Sequence, residues 1–547
     1  MLLNRDVRTA GQVRQFLTPD FKELLPPDSL PNAVRAARRL AQAARAHRRI
    51  VIYGDYDVDG VTATTILWHA LRLANANVSF YIPSRLEEGY GLNADALEKI
   101  AADGEALVIT VDCGVTAVEE ARRARELGLE LIITDHHEPR GTLPEVDCLV
   151  HPSACEPSPN PDLSGAGVAL KIAWALAAEL SGGGRVSPAF REFLLDATAF
   201  AALGLVADVV PLTGENRIIA SYGLKHLGRT KNVGLQALID VSGLNGKKAV
   251  DDYDVGFRLA PRLNAIGRLG HARLAVELFT RAGAERAHEI AATLDAQNRK
   301  RQEMERAIAK EAEALVTARG FDRDSCHGIV LASPTWHAGV IGIVAARLVD
   351  RFHRPTVLIA LEGGQGQGSG RSVRHFPLHE VLAACSAHLL SFGGHAMAAG
   401  VRLRSDQVEP FAQAFIAEAG RRLTPKDLRP RLHLDDEVSL GQLTTDVVEA
   451  LQLLAPHGPG NAAPRLATQE VELADAPRVV GQAGNHLQFR VRQGGEYRKA
   501  IAFGRGAHAQ ELSEHRRLRL AFEPILNDWN SRRSVELKVV DWKLGRA

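Results

Sequence analysis

Residues 48–73 read RRIVIYGDYDVDGVTATTILWHALRL: an apolar run, a loop with three aspartates at alternate positions, then an apolar stretch of helical character. Ile50–Tyr53 predicts a strand and Thr62–Leu73 a helix, so Asp55, Asp57 and Asp59 fall where strand gives way to helix. The alternation continues outward. Val78–Ile82, Leu107–Val111, Leu131–Thr134 and Cys148–Val150 are further strand candidates, and Val118–Leu127 is helix-like. This is the order of a parallel sheet wrapped by helices. A Pro-rich stretch at Pro152–Leu163 marks a surface loop, and helix-rich sequence then runs to about residue 280.

In a parallel sheet the carboxyl ends of the strands converge on one crevice. Asp112, after the apolar VIT of ITVDCG, and Asp135-His136-His137, after LII, therefore belong beside the three aspartates. Helix capping explains any one acid before a helix. Three at alternate positions exceed that need, and their repulsion calls for a cation. Strand ends about 4.8 Å apart let carboxylates and an imidazole hold two cations about 3.5 to 4 Å apart. An adjacent histidine pair is commonly an ordinary surface feature; its place after a strand favours a ligand role. Asp208, in the apolar GLVADVVPL, is an even choice between cap and ligand. Cys113 has no second thiol or base partner and reads as a small buried residue. Such a donor set suits Mn²⁺ or Mg²⁺ rather than structural zinc, and the expected chemistry is two-metal hydrolysis of a phosphoester or phosphoanhydride.

At 547 residues the chain is too long for one core, and three or four domains are expected. Its 46% hydrophobic and 24% charged residues match a globular average, and the net charge of +1 excludes a uniformly basic or acidic protein. No span of 18 apolar residues and no secretory signal is visible, so no membrane association is expected. Five scattered cysteines without CxxC spacing argue against a disulfide scaffold and for a cytoplasmic location.

Ala284–Arg319 contains no Gly or Pro, and Ile290, Leu294, Met304, Ile308 and Leu315 fall at helical spacing. Two ordinary helices would satisfy this; the thin apolar stripe favours a single connector about 54 Å long joining two lobes. Beyond it, Gly328–Ala332 and Thr356–Ala360 predict strands, GGQGQGSGRS at 363–372 a Gly-rich turn, and Phe411–Arg421 a helix. The Pro- and Gly-rich Leu454–Leu466 is a boundary. Leu487/Phe489/Val491 and Val535/Leu537/Val539 then alternate with polar residues, as in an antiparallel sheet or small barrel. Pro464–Ala547 carries fifteen Lys/Arg against ten Asp/Glu, a local net of +5, leaving −4 for the preceding 463 residues. Phe489, Tyr497, Phe503, Phe522, Trp529 and Trp542 are interleaved there with Arg490, Arg492, Arg498, Lys499, Arg516, Arg517, Arg532 and Arg533. Aromatic platforms among basic neighbours suit single-stranded nucleic acid. The plainer reading is that half these aromatics are core and the arginines solvate the surface.

Taken in order and spacing, Asp57-Val58-Asp59, Asp112, Asp135-His136-His137 and Asp208 resemble the four motifs of the DHH phosphoesterase superfamily. SGRS at Ser369–Ser372 and GGHAMAAG at Gly393–Gly400 resemble its companion substrate-binding domain, DHHA1. With GDYDVDG, APRLNAIGR at Ala260–Arg268, WHAGVIGIVA at Trp336–Ala345 and PHGPGN at Pro456–Asn461, the chain from about residue 48 onward resembles the bacterial single-strand-specific 5′ to 3′ exonucleases of that superfamily. His457 stands where that family often has Phe.

The resemblance implies an α/β protein: an N-terminal segment and parallel-sheet DHH catalytic domain over 1–283, a long connecting helix over 284–319, a smaller α/β DHHA1 domain over 320–425, and an OB-type β-barrel with its preceding helix over 426–547. It implies Asp57, Asp59, Asp112, His136 and Asp208 as ligands of two divalent cations, Mn²⁺ or Mg²⁺, with Asp112 able to bridge and Asp55 a further ligand or support. His137 would contact the scissile phosphate and Asp135 would orient the histidines. Ser369, Arg371 and His395 would hold the phosphate side of the substrate, with Arg262 and Asn264 as additional strand contacts. Tight helix packing is the plainer reading of GGHAMAAG. The implied activity is hydrolysis of single-stranded DNA to 5′-mononucleotides in DNA repair and recombination, with a single-strand-binding protein and a recombination helicase as candidate partners. One alternative is a small-substrate phosphoesterase, though those relatives usually begin with a His-containing motif where Tyr53 and GDYDVDG stand here, and they lack a terminal barrel. Another is a non-catalytic replication scaffold, against which the intact carboxylates and histidines speak.

Overall fold

The computed structural model describes every residue except 85–87, 140, 183–184, 248, 482–483, 530–531 and 546–547. The first sheet contains β1 (Arg49–Gly54), β2 (Asn77–Tyr81), β3 (Leu107–Val111), β4 (Glu130–Thr134) and β5 (Cys148–Val150), all parallel, in the order β2-β1-β3-β4-β5. Alternate side chains serve two cores. Ile50, Ile52, Leu107 and Ile109 pack with the helices Ala33–Arg45, Val58–Leu73 and Gly165–Leu180, while Val51, Tyr53, Val108 and Leu131 pack with Ala94–Ala102 and Val118–Glu126. The order reverses between β1 and β3, so the crevice at their carboxyl ends lies at the topological switch point. The helix after β1 begins at Val58, four residues before the predicted start, because the Asp57 side chain caps it.

The connector is one unbroken helix, Ala284–Ala318. Ala287, Ile290, Ala291 and Leu294 pack on the first lobe; Ile308, Ala312 and Val316 pack on the second. Its middle is buried but polar. Asp295 pairs with Arg262 of the first lobe at 2.9 Å, and Glu305 with Arg347 of the second at 2.6 Å. These pairs explain a helix whose apolar stripe alone is thin.

The second lobe orders β6 (Ile329–Ser333), β7 (Thr356–Glu362), β8 (Gln365–Arg371), β9 (Ser391–Gly394) and β10 (Ala398–Arg404) as β6-β7-β8-β10-β9. The expected Gly-rich turn is here a turn only at Gly363-Gly364; Gln365–Arg371 is β8. Its glycines alternate onto the buried face, and at Gly366 and Gly368 neighbouring Ile359, Leu403 and Val401 leave no room for a side chain. GGHAMAAG is likewise the β9–β10 hairpin and not a helix-packing stripe.

The last lobe contains β11 (Asp436–Val438), β12 (Leu466–Thr468), β13 (Val471–Leu473), β14 (Arg478–Val480), β15 (His486–Gln493), β16 (Glu496–Ala502), β17 (Arg517–Trp529) and β18 (Arg532–Leu544). β13, β15, β16, β18 and β17 pair in a closed ring, the five-stranded barrel of an OB fold. Phe489 and Phe522 are core, whereas Tyr497 and Phe503 are exposed. The side chains of Trp529 and Arg532 lie outside the described residues. The Arg217 guanidinium ties this lobe to the first, donating to the carbonyls of Leu453, Leu454, Ala455 and Pro456 at 2.8 to 3.3 Å. Asn461 of PHGPGN closes the same loop through the carbonyls of Leu454 and Pro456. Among the described residues no helix is long and apolar enough to cross a membrane.

Candidate metal centre

Asp55, Asp57 and Asp59 follow β1, Asp112 follows β3, and the histidine pair follows β4. Asp208 arrives from outside the sheet, at the carboxyl end of the helix Pro188–Ala207. A carboxylate at that end opposes the helix dipole, so capping does not account for it. The geometry joins the rest. Asp55, Asp57 and Asp112 can each offer an oxygen within 4.8 Å of the others, and Asp59, His136 and Asp208 form a second such group. His136 Nε2 lies 3.1 Å from Asp112 Oδ1, 3.5 Å from Asp208 Oδ2 and 3.7 Å from Asp59 Oδ2.

Capping and ligation turn out to be compatible. Asp57 Oδ1 accepts from the N–H groups of Asp59 and Gly60 at 2.9 and 3.1 Å, leaving its second oxygen for the crevice. The Asp59 carboxylate accepts from Gly165 N and Ala166 N at 2.6 and 3.0 Å, so it sits on the amino end of a second helix. Asp112 has a left-handed backbone, φ 63°, which Asp tolerates better than most residues. Thr110 holds that turn by donating to the Cys113 carbonyl at 2.7 Å. Gly165 permits it, since a Cβ there would stand 2.8 Å from the Asp112 Cβ.

The residues fit a cation by their own chemistry. Asp112 Oδ1 and His136 Nε2 are buried and face each other, yet neither has a hydrogen-bond partner among the described residues. Burial, then repulsion from His137, pushes His136 down to about 3, so a neutral imidazole is aimed at a carboxylate. Burial and the charges of Asp59, Asp57, Asp55 and Asp208 push Asp112 far above the ordinary carboxylate range. Burial and the charge of Asp57 lift Asp59 to about 7; burial with Asp59 and Asp57 lifts Asp208 to about 8. Oxygen-rich donors with one imidazole match Mn²⁺ or Mg²⁺.

Asp135 serves the second histidine. Its Oδ1 accepts from His136 N, His137 N and His137 Nδ1, the last at 2.7 Å, and its Oδ2 from Val115 N at 2.9 Å. Burial works to raise Asp135, but the hydrogen bond and charge of His137 hold it well below the usual range. Burial equally works to lower His137, and Asp135 overrides it, raising the imidazole to about 9. Cys113 is fully buried, and burial pushes its thiol well up, in keeping with a packing residue.

Two contributors escaped the sequence reading. The Tyr90 hydroxyl lies 3.0 Å from His137 Nδ1 and its ring meets the imidazole edge-on at 5.5 Å. Tyr90 lies in the connection after β2, and the convergence of strand ends on one crevice was the available signal. His151 accepts from Ser153 N and Ala154 N at Nδ1, so Nε2 carries the proton and donates to the His137 carbonyl at 2.7 Å. Nothing in its sequence context signals that brace.

In the second lobe, Ser369 and Arg371 share one face of β8, and Arg371 Nη1 donates to Ser369 Oγ at 3.1 Å. Gly342, in the helix Ala338–Phe352, lets that helix approach them closely. His395 projects from the β9–β10 hairpin, whose Gly394 has φ 138°, and its Nδ1 lies 3.6 Å from Glu138 Oε2, just past the histidine pair. A cleft of about 470 Å³ runs from Asp135 and His137 to Gly394 and His395. Asn264 lines a different cavity. The Arg262 guanidinium is engaged by Asp295 and by the carbonyls of Arg258 and Val241, so it braces the connector.

Three family models match the chain: the DHH family N-terminal domain over residues 49–201, the DHHA1 domain over 327–420, and the RecJ OB domain over 434–541. The chain is 38% identical over 546 residues to the single-stranded-DNA-specific exonuclease RecJ of Bacillus subtilis, covering 99% of this chain and 67% of that one. It is 36% identical over 542 residues to the protein of that name from Dickeya dadantii, covering 96% and 92%. Among solved structures, the Thermus thermophilus RecJ complex with Mn²⁺ superposes with a TM-score of 0.84 at 32% identity, covering all of this chain and 75% of that one. The Mg²⁺ complex from the same organism gives 0.77 at 30% identity, covering 100% and 74%.

Proposed function

Because the chain belongs to the RecJ family of single-stranded-DNA-specific exonucleases, we propose that it hydrolyses single-stranded DNA from the 5′ end to 5′-mononucleotides, using two divalent cations, Mn²⁺ or Mg²⁺. Asp55, Asp57, Asp59, Asp112, His136 and Asp208 would hold them, with Asp112 between the two groups. The observation that carries this reading is the buried Asp112 Oδ1 lying 3.1 Å from His136 Nε2 with neither atom hydrogen-bonded among the described residues. When bound, the cations supply Lewis-acid polarisation of the phosphate and a lowered pKa for the attacking water.

The chain's own residues do the positioning. Asp135 fixes the His137 ring through Nδ1 and keeps it protonated. An imidazolium serves the developing charge on the phosphate oxygens, not proton abstraction. Its Nε2, beside the Tyr90 hydroxyl at 3.3 Å, is the atom left to face the phosphate. Arg371 offers a planar fork to phosphate oxygens and Ser369 braces that fork. His395 would close the cleft from the second lobe, and a passage between the two lobes too narrow for a duplex would account for selection of single strands. This activity fits DNA repair and recombination, with a single-strand-binding protein and a recombination helicase as candidate partners.

Single-stranded oligonucleotides chemically blocked at one end or the other test the polarity. A 3′-blocked strand should be digested to 5′-mononucleotides in Mn²⁺, while the 5′-blocked strand and blunt duplex persist. Digestion from the 3′ end, or internal cuts, would overturn the proposal.

A further inference from the structure

Beyond Arg371 the chain runs on through Ser372, Val373 and Arg374, and two residues past His395 the β9–β10 hairpin carries Met397. Ser372 N donates to the Met397 carbonyl at 3.0 Å, which joins the two segments. Both enter the wall of a cavity of about 410 Å³. The segment leading from the helix Val408–Arg422 to the barrel contributes Lys426, Arg429 and Arg431 to the same wall. Four cations thus line one hollow, and among the described residues none of them makes a side-chain hydrogen bond or ion pair. This is not the habit of the lobe, where Arg347, Arg351, Arg404, Arg421 and Arg422 are each paired with a carboxylate. Two acids, Asp350 and Asp427, also line the cavity, and neither pairs with any of the four. Asp427 is held instead by Thr424, whose N–H and hydroxyl donate to it at 2.9 and 2.6 Å. The remaining wall includes apolar Val349, Val373 and Met397, the last 50% exposed.

We infer that this cavity binds a free nucleoside 5′-phosphate at a site separate from the carboxylate cluster. Its phosphate would lie among Arg374, Lys426, Arg429 and Arg431, and its base against Val373 and Met397. A hollow lined by one sign of charge focuses its field and concentrates the opposite ion. Arginine forks match phosphate oxygens, and the polarizable thioether of methionine suits the face or edge of an aromatic ring. The volume is that of a small-molecule site and does not call for a continuous strand. For the source of the ligand the inference draws on the proposed hydrolysis, which releases such a molecule on the neighbouring side of the same two segments.

Isothermal titration of the full chain with thymidine 5′-monophosphate in EDTA reads the cavity, because the carboxylate cluster without cations repels a phosphate. Wild type should bind one equivalent. Arg374→Ala/Arg431→Ala should weaken binding about tenfold or more, the loss expected when charge-assisted hydrogen bonds go, and Arg374→Lys/Arg431→Lys should recover part of it. Arg371→Gln should bind as wild type does. Thymidine should not bind, inorganic phosphate should bind more weakly, and a 5′-phosphorylated oligothymidylate should not displace the mononucleotide. Thermal melts confirm that each variant folds, and the double Ala variant should release nucleotide from 5′-labelled single-stranded DNA in Mn²⁺ at the wild-type rate. Unweakened binding by that variant, or binding lost in Arg371→Gln, would overturn the assignment. So would phosphate binding as tightly as the mononucleotide, or displacement by the oligonucleotide or by a glutamate-rich peptide. Loss of hydrolysis in step with loss of binding would place the four cations in the cleavage site and equally overturn it. Wild type that binds the mononucleotide but leaves DNA intact would count against the proposed function and not against this site.

Discussion

At Asp59 and Asp208 the fold holds carboxyls with pKa values of about 7 and 8, against an ordinary 3.8. A raised pKa means that the folded chain keeps protons the unfolded chain has lost, so stability falls as pH rises from about 4 towards 8. Divalent cations displace those protons, and their stabilising effect must therefore grow with pH. Melting temperatures should show saturating Mn²⁺ adding more to the Tm at about pH 8 than at about pH 6, relative to EDTA. An increment that is flat or larger at the lower pH would contradict the assignment of these carboxyls. The motif aspartates and histidines were legible as residues because Asp-rich strand ends have few other uses. The division of labour between His136 and His137 came only with the family resemblance; in the structure the hydrogen bond that His137 Nδ1 donates to Asp135 makes the difference.

At the scale of elements, the site depends on helix amino ends brought against strand ends. Gly165 opens the helix that receives Asp59 and sits against Asp112. Gly165→Ala should displace one or the other, costing about 1 to 3 kcal/mol of stability by overpacking and roughly tenfold or more in Mn²⁺ affinity. Isothermal titration and thermal melts on the one variant check both. The strands of the first sheet were read within a residue or two, because each is a short apolar run at a regular interval. β8 was missed as a strand because glycine normally signals a turn, and only the crowding by Ile359 and Val401 explains Gly366 and Gly368. Asp208 stayed ambiguous in its own sequence context, since its partners Asp59 and His136 come from two other elements, the helix after β1 and the connection after β4.

Across the whole molecule, the near-zero net charge divides into an acidic catalytic portion and a basic terminal one, but the structure tempers the second. Arg492 and Glu472, Arg517 and Glu470, and Lys538 and Glu523 pair across the barrel surface at 2.7 to 3.1 Å. The barrel is also no loose appendage. Arg217→Ala would strand several carbonyls at its junction, costing about 3 kcal/mol, and should split a cooperative melt into separate transitions for barrel and core. The central claim, that one buried carboxylate cluster hydrolyses single-stranded DNA with divalent cations, is tested most directly at Asp112. Asp112→Asn keeps the side-chain shape and tolerates the same left-handed backbone, while removing the charge. On 5′-labelled single-stranded DNA in Mn²⁺, wild type should release labelled mononucleotide and Asp112→Asn should be slower by about a hundredfold to ten-thousandfold. Release by the variant at the wild-type rate, or none by wild type, would contradict the account.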